Sequence, residues 1–196
     1  LPAWGERCVG VLLQYTLPAL VEALRLVNHK QIEIIIWTDQ PDRVRGVSLS
    51  PGATVPATVT LRGVPEPDGA FESMSNCHRE ALAAASGGDR VLLLTADMVP
   101  SREVLATCEA QIAAGKQLVC CAPPRALQDA GCPVGASGRE LLDWAWTNRH
   151  PMTRECTWPE GRSYDVWRMY FEKDGEVAAR VFLPHPLVVV PGGRRI

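Results

Sequence analysis

The seven cysteines, at positions 8, 77, 108, 120, 121, 132 and 156, form no C-x-x-C pair. That spacing excludes the common zinc-ribbon and dithiol redox motifs. The odd count, with Cys120 and Cys121 inside an apolar run, points away from a disulfide framework and towards a reduced, cytoplasmic chain with buried thiols. No apolar run approaches the ~20 residues of a membrane-spanning helix, so no transmembrane segment is expected. The opening stretch "LPAWGERCVG" carries an acid and a base before any apolar run and does not read as a signal peptide. Starting on Leu rather than Met, it is compatible with a trimmed chain or a piece of a longer one. Charge of one sign is also missing. Twenty Lys and Arg against 22 Asp and Glu leave a net charge of −2, which supplies no general attraction to nucleic acid or to an anionic membrane.

Several catalytic motifs are absent as well. "LLQYTLPA" follows the first apolar run where a dinucleotide-binding fold needs G-x-G-x-x-G, and no G-x-x-x-x-G-K-[ST] occurs anywhere. Dehydrogenase and P-loop chemistry are thereby demoted. The chain also lacks G-x-S-x-G and H-E-x-x-H, which argues against an α/β-hydrolase and a zinc protease. There is no internal repeat and no low-complexity segment.

What is present is alternation. "CVGVLLQ" (8–14) is continuously apolar and reads as a buried strand; "LPALVEALRLVNH" (17–29) has helical spacing with Pro18 near its first turn. "IEIIIWT" (32–38) reads as a second strand and "VPATVTL" (55–61) as a weaker third. A helix is expected over 71–88, the most apolar strand over 90–96, a helix over 101–115 and a strand over 117–122. A Pro/Gly-rich loop then leads to a helix at 139–150, followed by strands or their approaches at 164–171, 176–183 and 186–190. The 196 residues suit a single domain, and strand–helix alternation over the first 122 predicts a mostly parallel sheet with helices on both faces. Ligands of such sheets bind beyond the carboxyl ends of the strands. The residues to inspect are therefore Gln14 and Tyr15, Thr38 and Asp39, Thr95 to Asp97, and Pro123 to Arg125.

Asp97 stands out, because "RVLLLTADMVPS" ends an interior strand on a carboxylate, an expensive position unless something uses the charge. This strand, together with "MSNCHREAL", "AGKQLVCCAPPRAL", "RHPMTRECTWP" and "RVFLPHPLVVVP" in that order, resembles the GT-A-fold glycosyltransferases over about residues 30–191. The resemblance implies a Rossmann-like α/β domain in which 1–122 bind a nucleotide-sugar and 123–196 form the acceptor side. The chain departs from the family's D-x-D pattern, since Thr95 stands two before Asp97, and that puts the metal dependence in doubt.

The resemblance further implies a divalent cation, Mn²⁺ or Mg²⁺, at Asp97 with His185 as second ligand. A UDP-sugar is the first donor to try, with the nucleotide held by Tyr15, Thr38, Asp39, Arg79 and Arg125. The cation would act as a Lewis acid on the diphosphate leaving group. An inverting enzyme needs a carboxylate base, for which Glu140 and Asp143, three apart on one helix face, are the candidates. The acceptor would be a glycan or lipid-linked sugar hydroxyl, or a hydroxylated DNA base. Trp144, Trp146, Trp158 and Trp167, with Arg149, Arg154, Arg162 and Arg168, keep a stacked nucleic-acid acceptor open.

Each residue has a structural alternative. Asp97 can cap the following helix, Asp39 can begin a turn, His185 can be a core histidine, and Glu140 and Asp143 can be acids favoured by the helix dipole. Two other functions stay open. A nucleotidyltransferase is disfavoured because "LLQYTLPAL" offers no Gly, Lys or Arg for a phosphate loop. A catalytically inert binding module gains modest support from the missing second Asp.

Overall fold

The computed structural model describes residues 1–27, 31–45, 57–64, 69–158, 168–181 and 185–191. Gly5–Val11 (α1), a π turn at Leu12–Thr16 and Leu17–Leu24 (α2) run on as one helix. The strand expected at 8–14 is therefore helical. Its run is apolar throughout and carries no period, and periodicity alone does not separate a buried strand from a buried helix. Packing decides the matter: Val9, Leu12, Leu17, Leu20 and Leu24 all enter the core. Pro18 sits in the first turn of α2, directly after the widened π turn, where its missing N–H is tolerated. By length and composition alone the combined helix Gly5–Leu24 could cross a membrane, but half of its apolar window is buried inside the fold, as in a core helix, and among the described residues there is no clear transmembrane segment.

The chain continues through Ile32–Trp37 (β1), Pro41–Arg45 (α3), Ala57–Arg62 (β2), Ala70–Ala84 (α4), Val91–Leu92 (β3), Val104–Ala113 (α5) and Leu118–Cys121 (β4). After a 3₁₀ turn come Gly138–Thr147 (α6), Pro151–Glu155 (α7), Thr157–Trp158 (β5), Arg168–Lys173 (β6), Glu176–Val181 (β7) and His185–Val189 (β8). Parts of the expected strands, at 55–56, 164–167 and 182–183, lie outside the described residues, as do Arg162 and Trp167.

The single, mostly parallel Rossmann-like sheet is not what forms. Among the described residues there are three small sheets: β1–β2, β3–β8–β4 and β5–β6–β7. Of their strand pairs, β1–β2 and β5–β6 are parallel and the rest antiparallel. The reason lies late in the chain. The apolar run of β8 enters between β3 and β4 and pairs antiparallel with both, displacing the direct neighbour relation that a simple βαβ alternation predicts. The strand expected at 90–96 pairs only over Val91–Leu92, with one further bond from the Leu93 N–H to the Leu187 carbonyl (2.8 Å). Leu94 and Ala96 are nevertheless buried, so the apolar run still reaches the core although its ladder stops.

The third sheet closes on a tight hairpin. Asp174 and Gly175 both have positive φ, 53° and 75°, as a two-residue type I′ connection requires. Tyr170 of β6 is 1% exposed, packs edge-on against Trp146 of α6 and donates its hydroxyl to the Pro123 carbonyl (3.0 Å). The hairpin thus anchors the loop that leaves β4.

Candidate functional site at the end of β3

Asp97 lies five residues past β3 and is exposed. One carboxylate oxygen accepts from the Thr95 hydroxyl at 2.5 Å; the other has no hydrogen bond among the described residues. The residue between them is fixed from below, since the buried Thr16 hydroxyl donates to the Ala96 carbonyl at 2.6 Å. Sequence reasoning missed Thr16. Its only signal was a hydroxyl inside an otherwise apolar helix, a position that calls for a buried acceptor. Tyr15, next to Thr16 on the same helix, is half-buried.

His185 opens β8 opposite Cys121 of β4. On its other edge β8 pairs Val189 with Val91 and Val188 with Leu92. That ladder ends there apart from the Leu93 bond to Leu187, and β8 shifts register against β4 between Val119 and Cys120. Because β8 runs antiparallel to both neighbours, its start at His185 lies at the end of the sheet where β3 and β4 finish. The His185 side chain lies outside the described residues.

Arg125, just past β4, is exposed and held through its backbone. Its N–H donates to the Thr153 hydroxyl (3.0 Å), and its carbonyl accepts from that hydroxyl (2.9 Å) and from the His150 N–H (2.9 Å). Its guanidinium touches the Met152 sulfur at 3.5 Å. Arg79 is exposed on α4.

The remaining candidates have structural partners. Asp39 accepts from the Gly5 N–H with both oxygens (3.0 and 3.1 Å) and so caps α1 from outside the helix. Thr38 is buried; its hydroxyl accepts from the Gln40 N–H (3.0 Å), and its own N–H donates to the Arg62 carbonyl. Glu140 closes a capping box with Ser137, accepting from the Ser137 N–H (2.8 Å) and hydroxyl (2.7 Å). These bonds, the backbone one first, hold its carboxyl below the ordinary value of 4.5. The pattern S-x-x-E at 137–140 is itself a helix-start signature that the sequence reading passed over. Asp143 pairs with Arg139 at 3.0 Å.

The start of α6 is nonetheless tied to the segment following Asp97. The Arg102 N–H donates to the Ala136 carbonyl (2.9 Å), and the Gly138 N–H donates to the Glu103 carboxylate (2.9 Å). Asp97 and Arg125 thus follow β3 and β4 at the end of the sheet where β8 begins, and the first turn of α6 is bonded to Arg102 and Glu103 a few residues after Asp97. Asp39 and Thr38 stand with the start of α1 instead.

A divalent cation takes six or more oxygen or nitrogen ligands, several of which are commonly water and substrate phosphate. Asp97, exposed with one oxygen open, fits as one ligand of such an ion. Among the described residues no group of three His, Cys, Asp or Glu side chains stands together to hold a metal, so the rest of the shell would have to come from the substrate and solvent.

No disulfide joins any of the seven cysteines. Cys77 and Cys108 are buried, and burial raises both thiols; burial pushes the half-buried Cys132 up to about 11. Cys8 and Cys120 are exposed, which corrects the expectation that the thiols are all buried. Compared with protein-family models, curated proteins and solved structures, the chain matches none.

Proposed function

We propose that the chain is a glycosyltransferase that moves a sugar from a nucleotide-sugar, a UDP-sugar first among them, to an acceptor hydroxyl. The observation that carries the reading is Asp97: an exposed carboxylate beyond a core strand, engaged among the described residues by Thr95 alone, at the end of the sheet where β8 begins and β4 ends. A bound Mn²⁺ or Mg²⁺ would supply Lewis-acid neutralisation of the diphosphate leaving group. Asp97 would hold that unit, with His185 as the second protein ligand. Tyr15 would stack on the base, and Arg125 would meet phosphate or acceptor. Glu140 or Asp143 on α6 would serve as the general base of an inverting enzyme, although each already accepts a hydrogen bond, from Ser137 and from Arg139 respectively. The free thiols accord with a reducing, cytoplasmic setting.

A second reading, a nucleotide-sugar-binding module without catalysis, is favoured by the capping role of Glu140 and the single carboxylate at the strand end. A thermal-shift panel of UDP-, GDP-, CMP- and dTDP-sugars, with and without Mn²⁺, tests both. One donor should stabilise the protein in a metal-dependent way by about 2.7 kcal/mol at 100 times Kd, and Asp97→Ala should abolish the shift. If no donor shifts the wild type, both readings fail. A shift without release of nucleoside diphosphate from the donor, in the presence of an acceptor panel, selects the binding module.

A further inference from the structure

A cavity of about 640 Å³ opens between β1 and β3, with Leu24 and Leu105 also in its lining. β1 uses one edge for β2, and the Thr38 N–H continues that side by donating to Arg62. The alternation of a strand therefore turns the N–H and C=O groups of Glu33 and Ile35 to the opposite edge. β3 uses one edge for β8, through Val91 and Leu93, which turns the corresponding groups of Leu92 and Leu94 away from β8. Both edges meet the cavity, whose lining includes Glu33, Ile35, Leu92 and Leu94, and among the described residues no strand pairs with β1 there before Ile35 or with β3 on that side.

One end of this slot already holds a strand. The Leu1 ammonium donates to the Ile35 carbonyl (2.9 Å), the Trp37 N–H donates to Leu1 (3.1 Å) and the Ala3 N–H donates to Trp37 (2.8 Å). Pro2 pairs with Trp37 in parallel. This is a parallel ladder that stops with a charge in a buried position, and burial pushes that amine down to about 5. A peptide N–H in the same place would make the same bond without a charge to desolvate.

We infer that the slot is the seat of a β-strand joined to Leu1 on its amino side, running parallel to β1 in the register of Pro2 and Trp37 and bridging β1 to β3. In that register about four residues before Leu1 would face Ile35 back to Ile32. With strands on both sides they would be apolar on both faces and free of proline. β8 stays antiparallel to its neighbours, so the joined sheet is mixed. The occupant is assigned to this same polypeptide because Leu1 to Ala3 already lie in the ladder that it would extend.

The test compares the 196-residue chain with three versions carrying five extra amino-terminal residues: a Val/Ile/Leu segment, the same segment with proline at alternate positions, and a Gly/Ser segment. The readout is amide hydrogen exchange at Glu33, Ile35, Leu92 and Leu94, with sedimentation to fix the oligomeric state. The apolar segment should slow exchange of these amides by about tenfold or more in a monomer, and the other two should not. Equal exchange in all four chains overturns the inference. Protection that appears only in a dimer, or equally with the Gly/Ser segment, overturns it too.

Discussion

The turn after β3 and the starts of α1 and α6 each carry an exposed acidic residue, and the three are used differently. Asp39 and Glu140 accept backbone N–H groups at helix starts, where orphan donors and the positive end of the helix dipole both favour a carboxylate. Among the described residues Asp97 accepts only from a neighbouring hydroxyl, although the backbone beneath it is tied to Thr16. Two carboxylates are spent on local structure, and one is held in place by structure without being consumed by it. That contrast separates a candidate ligand from a cap more sharply than the residue type does.

The largest perturbation should come from the frame rather than from the acids. Tyr170→Ala removes a buried ring that meets Trp146 and a hydroxyl that holds Pro123, and should cost about 3–5 kcal/mol in urea denaturation. A loss under ~1 kcal/mol would show that the hairpin does not anchor the β4 loop. Asp97→Asn should leave stability within about 0.5 kcal/mol of wild type while removing the donor-dependent thermal shift. An equal loss of stability would place Asp97 among the caps and erase the contrast. Asp39→Ala should destabilise by about 1 kcal/mol through the uncapped start of α1, with donor binding unchanged.

The smallest effect concerns pH. Glu140 titrates lower in the folded chain than in the unfolded one, so its contribution to stability is present above the ordinary value of 4.5 and is lost as pH falls through the lower folded value. Denaturation of wild type and Glu140→Gln from neutral pH down to pH 2 should show a difference that is full near neutrality and shrinks over that acid range. A difference that does not change with pH would mean that Ser137 does not select the ionised form.

Much of the local structure was legible. The helices at 70–84, 104–113 and 138–147 and the strand at 32–37 follow from spacing and β-branched composition. The run 8–14 was not, because an apolar stretch without a period fits a buried helix as well as a buried strand. Of the site, the exposed acid at Asp97 was visible as an anomaly in composition. Its anchor Thr16 was not, since the partner is the Ala96 carbonyl, eighty residues away in sequence.

By itself the sequence determined where the chain turns, which segments are apolar, and that a carboxylate ends the most apolar run. These are local properties, written in the period and type of neighbouring residues. Only the tertiary structure decided that β8 enters between β3 and β4, that Asp39 and Glu140 serve helix starts, and that an open slot separates β1 from β3. Strand pairing and capping between distant segments depend on which backbone groups meet in space, and an apolar run has the same composition whichever neighbour it finds.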